Sequence, residues 1–556
     1  MVEHIIIGRV EHVTSGGAQL RLERASFDHL ANVDDTSTAM SGTVGGQVKI
    51  KAGRLWLLGK LLETETCENG ATLARIDFLG EADDTADGTL GNFRRGISRL
   101  PRNGDEVAAV THADMVGLFG AGDRAHIEIG TIYPTSDVRA SLYIDPLLGR
   151  HFALVGSTGS GKSTAMALIL HRIIAEAPNG HIVVLDPHGE YGAAFPDTGK
   201  VFNVENLDLP YWLMNFEEHC EVFIASEGSE RDLDKALLAS CLLTARSRNS
   251  LAAAVPNLTV DSPVPYMLAE LVGALQTQLG KLDNSGEVAR YVRLKNRIEQ
   301  VLRDSRYSFM FRRELSVDTM KQFLARILRL PGDGRPVSII DLSGVPSDIV
   351  SVVVALLSRI VMDYAIWSRS ERQRPILLVC EEAHHYVPSE RKSHELASRK
   401  ILERIAKEGR KYGVALALVT QRPSDLAEGA LSQCGTILAM RLNNERDQAC
   451  VRNAMPEGGR AFLDSIPALR RGECIVCGEG VAIPLQVRID EVDVRMRPRS
   501  DDPVYSEAWR QTDDETGTLD RTIERWRSQS DRPGSDRPNG DAISSLLRRP
   551  LNAMSG

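Results

Sequence analysis

Residues 156–163 read Gly156-Ser157-Thr158-Gly159-Ser160-Gly161-Lys162-Ser163, matching G-x-x-x-x-G-K-[ST] without departure. The residue types suit the chemistry of holding a polyphosphate. Glycines let the backbone curl until successive N–H groups face phosphate oxygens. Lys162 offers a cation to the β- and γ-phosphates, and the Ser163 hydroxyl is a Mg2+ ligand. An apolar run, Phe152 to Val155, precedes the loop, and a stretch of helical pattern, Ser163 to Glu176, follows it. That helix would turn its positive N-terminal end to the anion. The strand–loop–helix setting distinguishes a working phosphate loop from a chance match in a Gly-rich turn. It predicts that residues 156–164, Thr164 included, bind ATP with Mg2+.

Hydrolysis needs acids near that loop. Pro375 to Cys380 is an apolar strand pattern that ends in Glu381-Glu382-Ala383-His384-His385. In phosphate-loop enzymes a carboxylate at this strand tip holds the metal's water shell, and the next polarises the attacking water. Glu381 takes the metal position and Glu382 the base position. Asp is the usual first residue of the pair, so the longer Glu381 points to outer-shell metal contact. The plain alternative is two solvated acids capping a strand. His384 and His385 read as helix-start or packing residues rather than ligands. A third strand pattern ends at Thr420-Gln421-Arg422-Pro423, where Gln421 would sense the γ-phosphate or orient water, or else be a loop residue before Pro423.

The surrounding elements must position these groups. Short alternating runs fill the first 80 or so residues: Ile5 to Ile7, Ala18 to Leu22, Val48 to Ile50, Leu55 to Leu58 and Leu73 to Phe78. Gly-rich turns separate them, a pattern that predicts a small β-barrel. A loop-rich stretch through Asp83-Asp84 and Asn92 to Arg95 follows, and then strands from Ile127 to Ile144. From Phe152 the order is strand, loop, helix, strand (Ile182 to Leu185), the start of a parallel sheet with helices on its faces. Residues 215–330 read as a helical insertion. Strands resume at Val337 to Asp341, Ile376 to Cys380, Ala415 to Thr420, Thr436 to Arg441 and Glu473 to Cys477. The expected domains are a barrel with connecting strands (1–135), an α/β ATPase core (136–492) and a polar C-terminal arm (493–556), extended or partly disordered, with Trp509 and Trp526 as anchors on another surface.

The chain has 556 residues and a net charge of −9, so any polyanion site must be a local patch. Aromatic residues make up only 5%, which argues against an extended base-stacking surface. Eight scattered cysteines suit a reduced, cytoplasmic protein, and Cys474 and Cys477 read as buried strand residues rather than a metal or redox pair. No run reads as a membrane span, and the N-terminus does not read as a signal peptide. Arg391 to Lys411 is rich in both basic and acidic residues. It is open to reading as a DNA-facing track or as a helix surface laced by i,i+4 pairs.

Five segments together strongly resemble the HerA family of hexameric DNA translocases. They are residues 151–163, Leu185-Asp186-Pro187-His188-Gly189-Glu190-Tyr191, Cys380 to His384, Glu408-Gly409-Arg410-Lys411-Tyr412-Gly413 and Thr420 to Pro423. The resemblance covers residues 1 to about 500, and the form Glu381-Glu382-Ala383-His384-His385-Tyr386-Val387-Pro388 looks like the bacterial branch. It implies a RecA-like P-loop core behind an N-terminal HAS barrel and a homo-hexamer with ATP between subunits. Duplex DNA would pass through the central pore. Arg150 and Arg410 fall where the family has functional arginines, either being open to action in trans. Asp186 or Glu190 would help coordinate Mg2+ or couple the site to DNA. Family members work with a NurA-like nuclease or a sirtuin-like NADase, for which the barrel end is the natural dock, in DNA end processing or anti-phage defence. The other readings are a nucleotide-stabilised ring scaffold that activates an effector, and a protein-translocating ring.

Overall fold

In the N-terminal region, alternation of apolar and polar residues gives each strand one buried face, and a sheet with one buried face can close on itself. Strands β1 (Ile6–Val13), β2 (Gly17–Leu22), β3 (Gln47–Ala52), β4 (Leu55–Thr66), β5 (Thr72–Asp84) and β7 (Glu106–Ala109) pair antiparallel in the order β2-β1-β7-β3-β4-β5. β5 pairs back onto β2, from Gly17 opposite Asp77 to Leu22 opposite Thr72, closing a six-stranded barrel. Its interior is packed with Ile7, Leu20, Val48, Ile50, Leu57, Leu61, Ile76 and Val107, all essentially without solvent exposure. β6 (Leu90–Arg95) is a flap on β5. The stretch expected to be loop around residues 83–95 is therefore largely a hairpin. Its polar side chains mask the strand pattern because it projects past the barrel and has no apolar face to declare.

The structure, a computed structural model, describes residues 4–528 except 24–25, 27–28, 31–32, 68–70, 86–87, 280–284, 390–395, 456–459, 500–503 and 511–515. The chain forms two compact units. The first comprises Met1–Ile182, Tyr364–Ser393 and Leu402–Pro498. Besides the barrel it holds β8 (His126–Ile132), β9 (Arg139–Tyr143), β10 (Phe152–Val155), β14 (Ile376–Cys380), β15 (Val414–Thr420), β16 (Thr436–Met440), β17 (Glu473–Gly478) and β18 (Leu485–Ile489). Their order is β14-β15-β10-β16-β17-β18-β8-β9. The first four run parallel and the rest antiparallel. The parallel strands are buried on both faces, as their unbroken apolar runs require. Barrel and sheet are clamped by Arg95, whose guanidinium donates to the carbonyls of Gly478, Val481 and Ala482.

The second unit comprises Val183–Asp363, His394–Ile401 and Arg499–Gly556. Here β12 (Gly199–Phe202) pairs parallel with β13 (Val337–Asp341), which lies next to β11 (His181–Asp186). Between β12 and β13 the chain forms helices Phe216–Phe223, Gly228–Ser247, Leu268–Leu279, Ser285–Arg303 and Met320–Ile327, as the insertion at 215–330 requires.

Helix Val350–Trp367 is long and apolar enough to cross a membrane by length and composition, although no such span is evident from the sequence. Most of it is buried within the protein. Arg359, inside it, donates to both carboxylate oxygens of Glu218 at 2.9 Å and to Asp363 at 3.0 Å. A buried bidentate ion pair of this kind is the mark of a core helix. In the arm, Thr516–Ser528 is helical rather than extended. Trp509 and Trp526 are exposed at 82% and 75%; residues 529–556 lie outside the described residues.

Candidate active site

The phosphate loop connects β10 to helix Lys162–Glu176. Two of its glycines occupy left-handed backbone, Gly159 at φ 75° and Gly161 at φ 105°, where a side chain would be strained. At Gly156 an added Cβ would sit 2.8 Å from Met440 Cβ and Ser160 Oγ, so bulk there has no room. The loop is anchored by the flanking strand tips: Gly156 N donates to Thr420 O at 3.2 Å and Ser157 N to Arg441 O at 2.8 Å. Lys162 is buried and folds back towards Ser157 O at 3.4 Å. Because β10 lies between β15 and β16, the loop emerges where three parallel strands present their C-terminal ends, the usual ligand side of an α/β sheet.

The same edge collects the acids. Ser163 Oγ donates to Glu381 Oε1 at 3.4 Å, joining helix start and β14 tip. Glu382 follows at φ 49°. It is 7% exposed, and its Oε2 is buried without a hydrogen-bond partner among the described residues. His384 Nδ1 lies 3.3 Å from that oxygen but off the line of a hydrogen bond; it pairs instead with Thr420 Oγ1 at 3.1 Å. Burial lowers the His384 pKa to about 4. The ring is therefore neutral near pH 7. Thr158 Oγ1 hydrogen-bonds Gln421 Oε1, bringing the tip of β15 onto the loop. A hydroxyl beside a carboxylate, a second carboxylate with an unused oxygen and a loop that needs glycine for backbone conformation at 159 and 161 and for space at 156 form a donor set that fits a Mg2+–nucleotide.

Comparison with known proteins agrees. Residues 127–361 match the family model "Helicase HerA, central domain". The DNA double-strand break repair helicase HerA of Pyrococcus furiosus is 29% identical over 460 residues, covering 76% of this chain and 78% of that one. Its namesake from Sulfolobus acidocaldarius is 26% identical, covering 75% and 78%. The chain is similar to HerA helicases over most of its length. Among solved structures, VirB4 of Thermoanaerobacter pseudethanolicus aligns with a TM-score of 0.50 at 16% identity, covering 68% of this chain and all of that one, which carries the fold alone. The protein is a P-loop ATPase whose α/β core follows an N-terminal β-barrel. The central-domain match ends before Glu381, Glu382 and Gln421, so the geometry above is what joins these residues to the loop.

Other expected residues of the HerA-type core lie elsewhere. Arg150 and Arg410 precede β10 and β15, at the strand edge opposite the loop. Arg150 pairs there with Glu479 at 2.9 Å. At about 3.3 Å per residue, the four residues of β10 separate Arg150 from its own phosphate loop by at least about 13 Å. Neither arginine serves its own loop.

Asp186 departs from its expected metal role. Its Oδ1 accepts from His188 N and Gly189 N at 3.2 and 3.0 Å, and its Oδ2 from Tyr191 N at 2.8 Å. Both oxygens are occupied in holding their own turn, and Asp186 is fully buried. Arg391 and Lys392 lie outside the described residues. In helix Ala397–Glu408, Arg404 pairs with Glu408 at 3.3 Å and Lys400 with Glu217 at 3.0 Å, as a paired surface would have it. Cys474 and Cys477 are buried free thiols, and burial pushes the Cys477 pKa up to about 12. No group of three or more potential metal ligands occurs among the described residues. Sequence reasoning missed the placement of His384 and Thr420 around Glu382. The adjacency of Thr420 to Gln421 at a strand tip was the available signal.

Proposed function

We propose that this protein is an ATP-driven DNA translocase of the HerA type, working as a homo-hexameric ring with duplex DNA in its pore. The observation that carries the ATPase half is the meeting of Ser163, Glu381 and Glu382 at one strand edge, 3.4 Å separating the first two. The relatives' designation as DNA repair helicases supports the DNA half. In this reading the domains are a barrel (1–135), motor core (136–492) and arm (493–556).

The chain's own residues divide the work. Backbone N–H groups of residues 156–164 and the Lys162 ammonium bind and orient the phosphates. Ser163 and Glu381 hold the Mg2+ that accompanies ATP, and bound Mg2+ neutralises phosphate charge. Glu382, with its free buried oxygen, takes a proton from the attacking water, and Gln421 orients that water. Arg150 or Arg410 of a neighbouring subunit stabilises charge on the γ-phosphate. A cytoplasmic nuclease or NADase effector would dock on the barrel end, in end processing or defence.

Glu382→Gln tests the reading. It should still bind ATP, while DNA-stimulated phosphate release falls roughly 10²–10⁴-fold. Absence of any stimulation of the wild type by DNA overturns the motor. Effector activity that survives in Glu382→Gln would instead favour a ring scaffold.

A further inference from the structure

Lys60 lies on β4, where Leu57 and Leu61 point into the barrel. Strand alternation sends Lys60 outward, yet it is only 5% exposed. Residues that follow the motor strands cover it: its Nζ lies 3.2 Å from the centroid of the Phe462 ring. No carboxylate stands within ion-pair distance of Lys60 among the described residues, and burial lowers its pKa to about 7. It lines a cavity of about 630 Å³ within the first unit.

The cavity holds two further unused polar atoms. Gln47, directly across the β3–β4 ladder from Lys60, has a buried Oε1 without a partner among the described residues. Ser37, 6% exposed, has a buried Oγ likewise without a partner among them. Buried polar groups are normally satisfied, so two of them beside the Lys60 ammonium in one cavity call for an occupant. Met40, Met115 and Leu485 line one part of the cavity with apolar groups. Arg75 pairs with Glu63 at 2.8 Å, Asp77 stands opposite Lys60 across the β4–β5 ladder beyond ion-pair distance, and Asp464, 85% exposed, pairs with Arg452 at 3.1 Å. Lys60 is thus the one cation lining the cavity that lacks an ion-pair partner among the described residues.

We propose that this cavity is a second ligand site, for a small amphipathic monocarboxylate whose carboxylate pairs with Lys60 while its apolar body lies on the Met and Leu wall. A single unneutralised cation and apolar walls suit a monoanion better than a dianionic phosphate. Ser37 and Gln47 add a donor and an acceptor, which would favour acids bearing a hydroxyl or amide. The site is separate from the phosphate loop and does not depend on the translocase reading.

Octanoate is the probe, titrated calorimetrically into the full-length protein at pH 7. One octanoate per chain is expected. Lys60→Met should weaken binding at least tenfold while ATP hydrolysis without octanoate is unchanged. In the wild type, trinitrobenzenesulfonate at pH 7 should label Lys60 ahead of the other lysines, with octanoate protecting it; this arm needs no variant to fold. Absence of saturable binding, equal binding by Lys60→Met, or labelling of Lys60 that octanoate leaves untouched would each overturn the proposal.

Discussion

Ser163 and Glu381 are 218 positions apart in the chain, yet their side-chain oxygens meet at 3.4 Å. The contact joins the start of the helix after the phosphate loop to the tip of β14. β14 does not touch β10; β15 lies between them. The pairing therefore exists only because the parallel order β14-β15-β10 brings both C-terminal ends to one edge. The longer Glu side chain has the reach to span one intervening strand, which gives a physical reason for Glu where Asp is usual.

That intervening strand also supplies Gln421, bonded to Thr158 on the loop. Gln421→Ala should slow hydrolysis by roughly 10²-fold, the scale of losing one preorganised polar group, with nucleotide affinity nearly unchanged. Thr158→Val should reduce hydrolysis less, since it frees Gln421 without deleting it. Single-turnover phosphate release together with fluorescent-nucleotide titration separates the two effects.

Arg150 and Arg410 sit at the edge away from their own loop, so subunit mixing can identify the one that acts across an interface. Lys162→Ala and Arg410→Ala should each be nearly inactive alone. Mixed in equal amounts they should recover measurable hydrolysis if Arg410 serves a neighbour's site, and the same mixture with Arg150→Ala tests the other arginine. No recovery in either mixture would remove both from this role.

The barrel contains a fully buried ion pair, Lys49 Nζ to Asp114 Oδ2 at 2.6 Å. Asp114 also accepts from Leu90 N and Thr111 N, and so ties β3, β6 and the helix that follows β7. Asp114→Ala strands a buried ammonium and should cost about 3–5 kcal/mol of stability. Replacing both members with apolar residues should cost less. Thermal melts of the single and double variants measure the difference.

His219 is fully buried, contacting Asn215 O at 2.6 Å and Tyr266 Oη at 2.8 Å. Burial, reinforced by the nearby Arg246, lowers its pKa to about 3. An unfolded histidine titrates near 6.5, so between these values the unfolded state binds the extra proton. The stability tied to this site is complete above about pH 6.5 and falls as pH drops towards 3, by up to about 1.4 kcal/mol per unit. His219→Gln should lower the melting temperature at pH 7 and flatten its decline between pH 6.5 and 4.5. An equally steep decline in the variant would show that other groups govern acid sensitivity.

Local pattern was enough for the phosphate loop, the strands that end at Cys380 and Thr420, the helical insertion and the small barrel. Each is written in a run of neighbouring residues: glycines that alone tolerate φ above zero, or an apolar period that only one element satisfies. What local pattern could not contain was strand order and burial. Asp186 has the type and position of a metal ligand, but its own turn, through the N–H groups of His188, Gly189 and Tyr191, takes both of its oxygens. Lys60 sits in an ordinary strand, and only the covering of the barrel by residues around Phe462 makes it a buried cation. Val350–Trp367 has the composition of a membrane helix, and Glu218, 141 positions before Arg359, marks it as core. Residue type and spacing thus determined which chemistry was present. The fold decided which groups meet and which charges lose their water, because both depend on contacts between residues hundreds of positions apart.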